Sequence, residues 1–400
     1  MSTKIKIILT VSFLAYLVQG LNDGALGVAW PNMRYELLMP LEFAGILTIT
    51  AFMSYSIVVS QFGKVSNYLK PQQIALLGIF LVIIANLGLF VAPNFFIILV
   101  MVSIIAGGQA FIESSINTYL ARHFTARYIN FGLCFWGMGA TIGPIIMSQM
   151  VNAFNWRLGY FAILFIQISV GILMYFSIKK GAWIQESTVI TDNTIKQCNY
   201  RIKFTYQFLQ MIIFFIFTGT QTAFGFWIYT VMLESRNLSI SAAGMYPALY
   251  FGFIMVGRIF FGAMAKKFSN MWLIRIGIVT SFIGVLILSF TTHIFAVMLV
   301  GFGISPIFPC LIHETTRRFP PFVLNRQMGY QLSAAGFGEI ISSFLGIILA
   351  LTSLESLFYV IAITLTIGFL ANEAMGKMVA SENYVYSNSV SDKITSTDIM

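Results

Sequence analysis

Charge is scarce in this chain of 400 residues: Asp, Glu, Lys and Arg together make up 9% of it, against about 25% in soluble domains. That scarcity excludes a water-soluble globular protein. Cysteine occurs three times, as Cys134, Cys198 and Cys310, and no two of these stand at zinc-type spacing. Cys134 and Cys310 read instead as small apolar fillers in helices. Histidine also occurs three times. His123 and His313 fall at the ends of apolar runs and His293 in a short connection, none of them beside carboxylates or thiols at ligand spacing. The glycines lie inside apolar runs rather than at strand-to-helix turns, so a phosphate-cradling loop is absent. No catalytic residue, metal or cofactor is expected, and the chain is not read as an enzyme.

What the sequence does have is long apolar runs. Hydrophobic residues make up 58% of it. Twelve runs, at about 7–31, 42–63, 72–92, 95–121, 129–152, 158–178, 206–233, 243–264, 272–291, 293–314, 327–351 and 354–374, have the roughly 20-residue length that carries a helix across about 30 Å of hydrocarbon. The expected class is an all-α polytopic membrane protein with twelve transmembrane helices. The first run lacks a small-residue cleavage site and is too long for a signal h-region, so it is read as a retained span.

The polar stretches divide the chain. Residues 1–178 form a first block of six spans, 179–205 a cytoplasmic linker, 206–374 a second block of six, and 375–400 a Ser-, Asn- and Thr-rich tail expected to be disordered. The net charge of +9 follows from topology. With the N-terminus inside, nineteen of the 23 basic residues, from Lys4 to Lys393, lie on that side; Arg34, Arg157 and Arg236 lie on the other and Arg258 inside a span. This asymmetry predicts a multi-pass protein of the cytoplasmic (inner) membrane with both termini cytoplasmic. It leaves no footprint for nucleic acid.

The two halves echo each other at a shift of about 199 residues. Phe62-Gly63-Lys64 aligns with Phe261-Gly262-Ala263 and Gly45 with Gly244, while Gly107 and Arg122-His123-Phe124 align with Gly303 and Arg317-Arg318-Phe319 at 195 or 196. Six spans per half keep both in one orientation. Two pseudo-symmetric six-helix bundles with a binding site between them near the midplane are the expected architecture.

Several motifs carry a family resemblance. They are Asn22-Asp23 in the first span, Glu113 with Asn117 in the fourth and Gly139-Ala-Thr-Ile-Gly143-Pro144 in the fifth. Trp156-Arg157-Leu-Gly-Tyr160 opens the sixth, and Gly303-Ile-Ser-Pro-Ile-Phe-Pro309 lies in the tenth. With these the chain resembles the major facilitator superfamily over nearly its whole length, and within it the fucose permease branch of sugar:proton symporters. The resemblance implies that fold, alternating access and proton-coupled sugar uptake. There are departures. Asn67 stands where the loop motif after the second span has Asp, and Lys266 stands at the matching place in the second half, which puts a charge-relay gate there in doubt. Ile145-Ile146 replace the glycines of an exporter's fifth-span motif, leaving a small-residue packing element.

Few acids lie deep in the spans: Asp23, Glu113 and Glu339. An ionisable group there costs on the order of 3 kcal/mol on insertion scales and reads as functional by default. Ala106, Gln109, Ala110, Glu113, Ser114, Asn117 and Thr118 follow the helical rhythm of one face, with Phe111, Ile112, Ile116, Tyr119 and Leu120 opposite. Counting from the span centres places Asp23 and Glu113 roughly 13 to 14 Å apart in depth, a relay rather than one shared site. Asp23 and Glu113 are the expected proton-coupling pair. Arg258 either snorkels to the interface or pairs with Glu339, and Glu339 is either functional or an interhelical partner.

For the solute, the candidates are Asn22, Gln109, Glu113 and Asn117 in the first half and Gln221, Trp227, Tyr250 and Gln331 in the second. These would stack on and hydrogen-bond a polyhydroxylated compound, although Trp227 fits an interfacial aromatic belt equally well. The reading is a secondary active transporter moving a small polar solute, a monosaccharide or related compound, by proton symport. Its expected partners are that solute, protons and the bilayer, and it is expected to be monomeric. The rivals are proton-driven efflux of a metabolite or drug and, in another class, a membrane sensor that binds without transport.

Overall fold

A computed structural model describes residues 3–124, 126–183, 204–265, 267–319 and 321–397. Most of the expected linker, Lys266 and Cys198 therefore lie outside the described residues. The described chain is helical, and twelve of its segments have the length and hydropathy to cross a membrane.

The first half comprises α1 (Thr3–Glu36), α2 (Phe43–Val65), α3 (Pro71–Val91), α4 (Phe95–His123), α5 (Ala126–Ala153) and α6 (Trp156–Lys179). The second begins with α7 (Phe204–Thr230), which runs on into a π-helical turn, Val231–Ser235, and continues with α8 (Ile240–Met264) and α9 (Asn270–Phe290). The tenth span is broken into α10 (Ile294–Ile304) and α11 (Ile307–Arg318), and the eleventh into α12 (Pro321–Gly338) and α13 (Ile340–Leu351). The last span belongs to α14 (Ser356–Thr397). Its backbone stays helical through the stretch expected to be a disordered tail, where no Gly or Pro follows Gly376 to stop it.

Short polar residues set the helix starts. Asn94, Asn155, Ser239 and Ser269 each accept a hydrogen bond from the backbone N–H three residues on, satisfying a donor the helix leaves free. Lys70 precedes Pro71, and Gln73 Oε1 accepts from the Lys70 N–H at 2.9 Å. The two breaks arise differently. Pro306 removes one backbone donor and crowds the preceding turn. At Gly338 the chain passes so close to α7 that an added Cβ would lie 2.3 Å from the Phe215 carbonyl oxygen.

Glycine contacts show the repeat directly. Gly20 and Gly139 bring α1 onto α5, and Gly219 and Gly338, each 199 residues later, bring α7 onto α12. Gly78 and Gly108 face each other's carbonyl oxygens across α3 and α4, as Gly277 and Gly303 do across α9 and α10. The true mate of Gly303 is thus Gly108 rather than the adjacent Gly107.

One pair of clamps repeats with the charges exchanged. Glu36, at the end of α1, accepts from Trp156 Nε1 at 2.6 Å and pairs with Arg157, whose Nη2 donates to the Ala92 carbonyl at 2.7 Å. Arg236, beyond α7, donates to Glu355 at 2.6 and 2.7 Å and through Nη2 to the Ser289 carbonyl at 3.1 Å. Each clamp ties the same three spans of its bundle.

The bundles meet near the Arg34 end of the molecule. Arg34 pairs with Glu234, and Thr48 Oγ1 shares a 2.5 Å hydrogen bond with Ser343 Oγ. Gly45 packs on the Ser343 backbone and Gly244 on the Ser148 side chain, again a symmetric pair. A Cβ on Gly27 would stand 2.5 Å from the Phe226 carbonyl oxygen. Toward the middle, the tilted rings of Phe52 and Phe337 meet at 5.0 Å between centroids.

Candidate functional site in the cleft between the bundles

Asp23 is solvent-exposed although Asn22, Gly24 and Ala25 beside it are buried and α4 and α5 flank it. Midway along a 34-residue helix, such exposure means an internal, water-accessible cleft. Its carboxylate accepts two hydrogen bonds, from Gln109 Nε2 and Trp136 Nε1, each 2.8 Å. Gln109 is fixed in turn: its Nε2 also donates to the Gln19 carbonyl at 3.1 Å, and Gln19 Nε2 donates to the Gln109 carbonyl at 2.8 Å.

One turn along α4, Glu113 Oε2 accepts from the Tyr55 hydroxyl of α2 at 2.8 Å. A further turn on, Asn117 Oδ1 accepts from the Tyr16 hydroxyl of α1. The polar face of α4 therefore looks onto α1 and α2. Ile112, Ile116, Tyr119 and Leu120 take the opposite side, in the core of the first bundle.

The depth offset expected from span centres is corrected here. Gln109 bridges to Asp23 and lies four residues from Glu113, so the two carboxylates are separated along the helices by roughly 6 Å. The discrepancy arises because α1 and α4 are 34 and 29 residues long and their centres do not share a depth. Asp23 and Glu113 occupy one connected polar site.

Glu339 lies at the break between α12 and α13 and is exposed. Phe337, two residues before it, meets Phe52 of α2, so the break lies where the two bundles adjoin. Arg258 does not pair with Glu339. Its guanidinium lies over the Trp136 ring at 5.4 Å from the centroid, and its Nε and Nη1 are buried without a hydrogen-bond partner.

The other sequence candidates are dispersed. Asn22 is buried and donates weakly to the Val18 carbonyl at 3.4 Å. Trp227 is fully buried and donates to the Ser342 carbonyl at 2.9 Å; Tyr250 is fully buried and donates to the Gln221 carbonyl at 2.9 Å. Gln331 is buried, accepting from Thr315 Oγ1 at 2.7 Å. These four are not brought to the cleft wall in this conformation, because their polar atoms are turned into helix packing. Gln221 is half-buried and lines a small recess with Thr218 and Phe308, beside the break in the tenth span.

Sequence reasoning missed Trp136, Tyr16 and Tyr55. Aromatic residues in apolar runs carry no signal of their own, and only the facing acid or amide marks them as donors. No group of three or more His, Cys, Asp or Glu placed to hold a metal ion occurs among the described residues.

Comparison with known proteins follows the same lines. The family model described as Major Facilitator Superfamily matches residues 12–331 and 211–377. A glucose/mannose transporter, GlcP of Bacillus subtilis (strain 168), is 23% identical over 313 residues, covering 74% of this chain and 75% of its own. Among solved structures, the nucleoside transporter NupG superposes with a TM-score of 0.73 at 11% identity, covering 92% of this chain and 99% of that one. A peptide transporter, POT, in complex with sulfate gives 0.70 at 12% identity, covering 93% and 95%. At such identities the superpositions establish the fold alone.

Proposed function

This chain belongs to the Major Facilitator Superfamily, and we propose that it is a proton-coupled importer of a monosaccharide or closely related compound, working by alternating access of its two bundles. The observation that carries the reading is Asp23: a carboxylate in a water-accessible cleft inside the membrane, held by Gln109 and Trp136 and one turn from Glu113. An ionisable side chain inside a span that faces a water-filled cavity is the usual mark of a proton relay or ion pathway. Gln109 touches Asp23 and shares a face with Glu113 and Asn117, so solute hydroxyls bound there compete for the same donors that hold Asp23.

The relative GlcP, by its name a glucose/mannose transporter, supports the sugar class. The excess of basic residues on the Arg122 side supports a place in the cytoplasmic membrane with both termini inside. In that orientation the Arg34–Glu234 and Thr48–Ser343 contacts close the outer side. The molecule acts as a monomer, each chain holding a complete cleft.

Purified protein in liposomes with an imposed inward proton gradient tests the reading with labelled glucose, mannose and fucose. Inward accumulation above the outside concentration is expected and should collapse with a protonophore. Extrusion against the gradient would establish efflux, and saturable binding without flux would establish a sensor.

A further inference from the structure

Arg258 stands apart from the other arginines with described side-chain contacts. Arg34, Arg157, Arg236, Arg275, Arg317 and Arg318 each meet a carboxylate. Arg258, in the interior of α8, has buried Nε and Nη1 with no acceptor, although Asp23 is bonded to the same Trp136 ring that the guanidinium covers. Desolvating a guanidinium without a counter-charge is costly. What it has instead is the face of Trp136, whose Nε1 donates to Asp23 at 2.8 Å.

We propose that Arg258 and Trp136 form a cross-bundle link through which the charge on Asp23, in the first bundle, sets how firmly α8 of the second bundle is held. An ionised Asp23 polarises the indole through a charge-assisted hydrogen bond, and the more electron-rich ring attracts the guanidinium on its face. The result is an ion pair conducted through one ring, Arg258 on one bundle and Asp23 on the other. When Asp23 takes up a proton, the guanidinium loses its only counter-charge along this path while its buried donors stay unsatisfied. The α5–α8 seam, where Gly137 packs on Met255 and Gly252 on Thr141, is then weakened. The charged and titratable groups facing this cluster are Tyr55 from α2, Glu113 from α4, Glu339 from the broken eleventh span, Cys134 from α5 and Tyr250 from α8. Glu113 and Glu339 lie on the Asp23 side of the link, and Cys134 and Tyr250 beside Arg258.

The inference rests on the proposed role of Asp23 as proton carrier, but its first test needs no solute. Tm of the purified protein is measured for Asp23→Asn, Arg258→Met and the double variant. A link predicts that the double variant's shift falls short of the sum of the single shifts by about 2 °C or more; additive shifts would overturn it. Trp136→Phe, which keeps the ring and removes only the N–H, guards against a variant that fails to fold, and it should abolish the coupling between the other two sites. In liposomes, the ratio of proton-driven accumulation to solute exchange should fall at least about fivefold in Trp136→Phe and Arg258→Met, with Arg258→Lys recovering part of it. Accumulation and exchange falling in parallel would mean a purely structural role. Coupled Tm shifts in a protein that does not accumulate solute would contradict the proposed symport while leaving the link standing.

Discussion

Arg34 and Glu234 are 200 residues apart, occupy matching places in the two halves, and pair with each other. Residues related by the repeat meet only near the axis that relates the bundles. Gly27 against Phe226, 199 residues apart, marks the same axis deeper in the membrane. Gene-scale repetition alone would give two arginines or two glutamates here, which would repel; opposite charges turn the axis into a latch.

The latch can be tested by exchange. Arg34→Glu or Glu234→Arg alone places like charges together in a partly buried site and should destabilise the contact between the bundles at this end by about 2 kcal/mol or more. The swap Arg34→Glu with Glu234→Arg should recover most of that loss, because the two positions are near-equivalent. Tm, with the labelling rate of a cysteine placed at Thr48, reports both effects.

The glycine crossings give a sharper contrast. Gly139→Ala and Gly338→Ala add a methyl group 2.1 and 2.3 Å from backbone oxygens, and each should cost about 1–3 kcal/mol or prevent folding. Gly63→Ala and Gly262→Ala meet nothing within 4 Å and should be neutral. Expression yield and Tm of the four variants decide it, and equal behaviour of both pairs would contradict the packing described.

Much of this was legible in the sequence. Run lengths gave the twelve spans, because hydrocarbon thickness fixes helix length, and the rhythm of Gln109, Glu113 and Asn117 gave the polar face of α4. Hydropathy is blind to the two broken spans, since a proline that removes a backbone donor at Pro306 and a close helix approach at Gly338 leave the apolar average unchanged. The depth relation of Asp23 to Glu113 depends on how α1 slides along α4, which the Gln19–Gln109 amide exchange sets and no single helix reveals. Trp227, Tyr250 and Gln331 have the right chemistry for a sugar, but their burial is a property of the fold around them.

Tyr55→Phe isolates the support for Glu113. Removing the hydroxyl leaves Oε2 without its 2.8 Å donor and should weaken solute binding roughly 10-fold or more, from the worth of about 1.5 kcal/mol or more for one hydrogen bond to a charged group. The Kd from titration calorimetry checks it. Tyr16→Phe, whose hydroxyl serves the neutral Asn117, should have the smaller effect.

Asp23→Asn removes the group that would carry the proton while keeping its size. Uphill accumulation should be lost, whereas exchange of labelled for unlabelled solute down no gradient should continue. Glu113→Gln should impair both, since Glu113 is proposed to touch the solute.

The central claim, that solute and proton move together inward through the Asp23 site, is tested most directly by the pH of a weakly buffered suspension of de-energised vesicles. Adding the transported sugar outside should make the medium more alkaline as protons enter with it, and Asp23→Asn should abolish the change. Sugar entry with no pH change, or with acidification, would contradict the account.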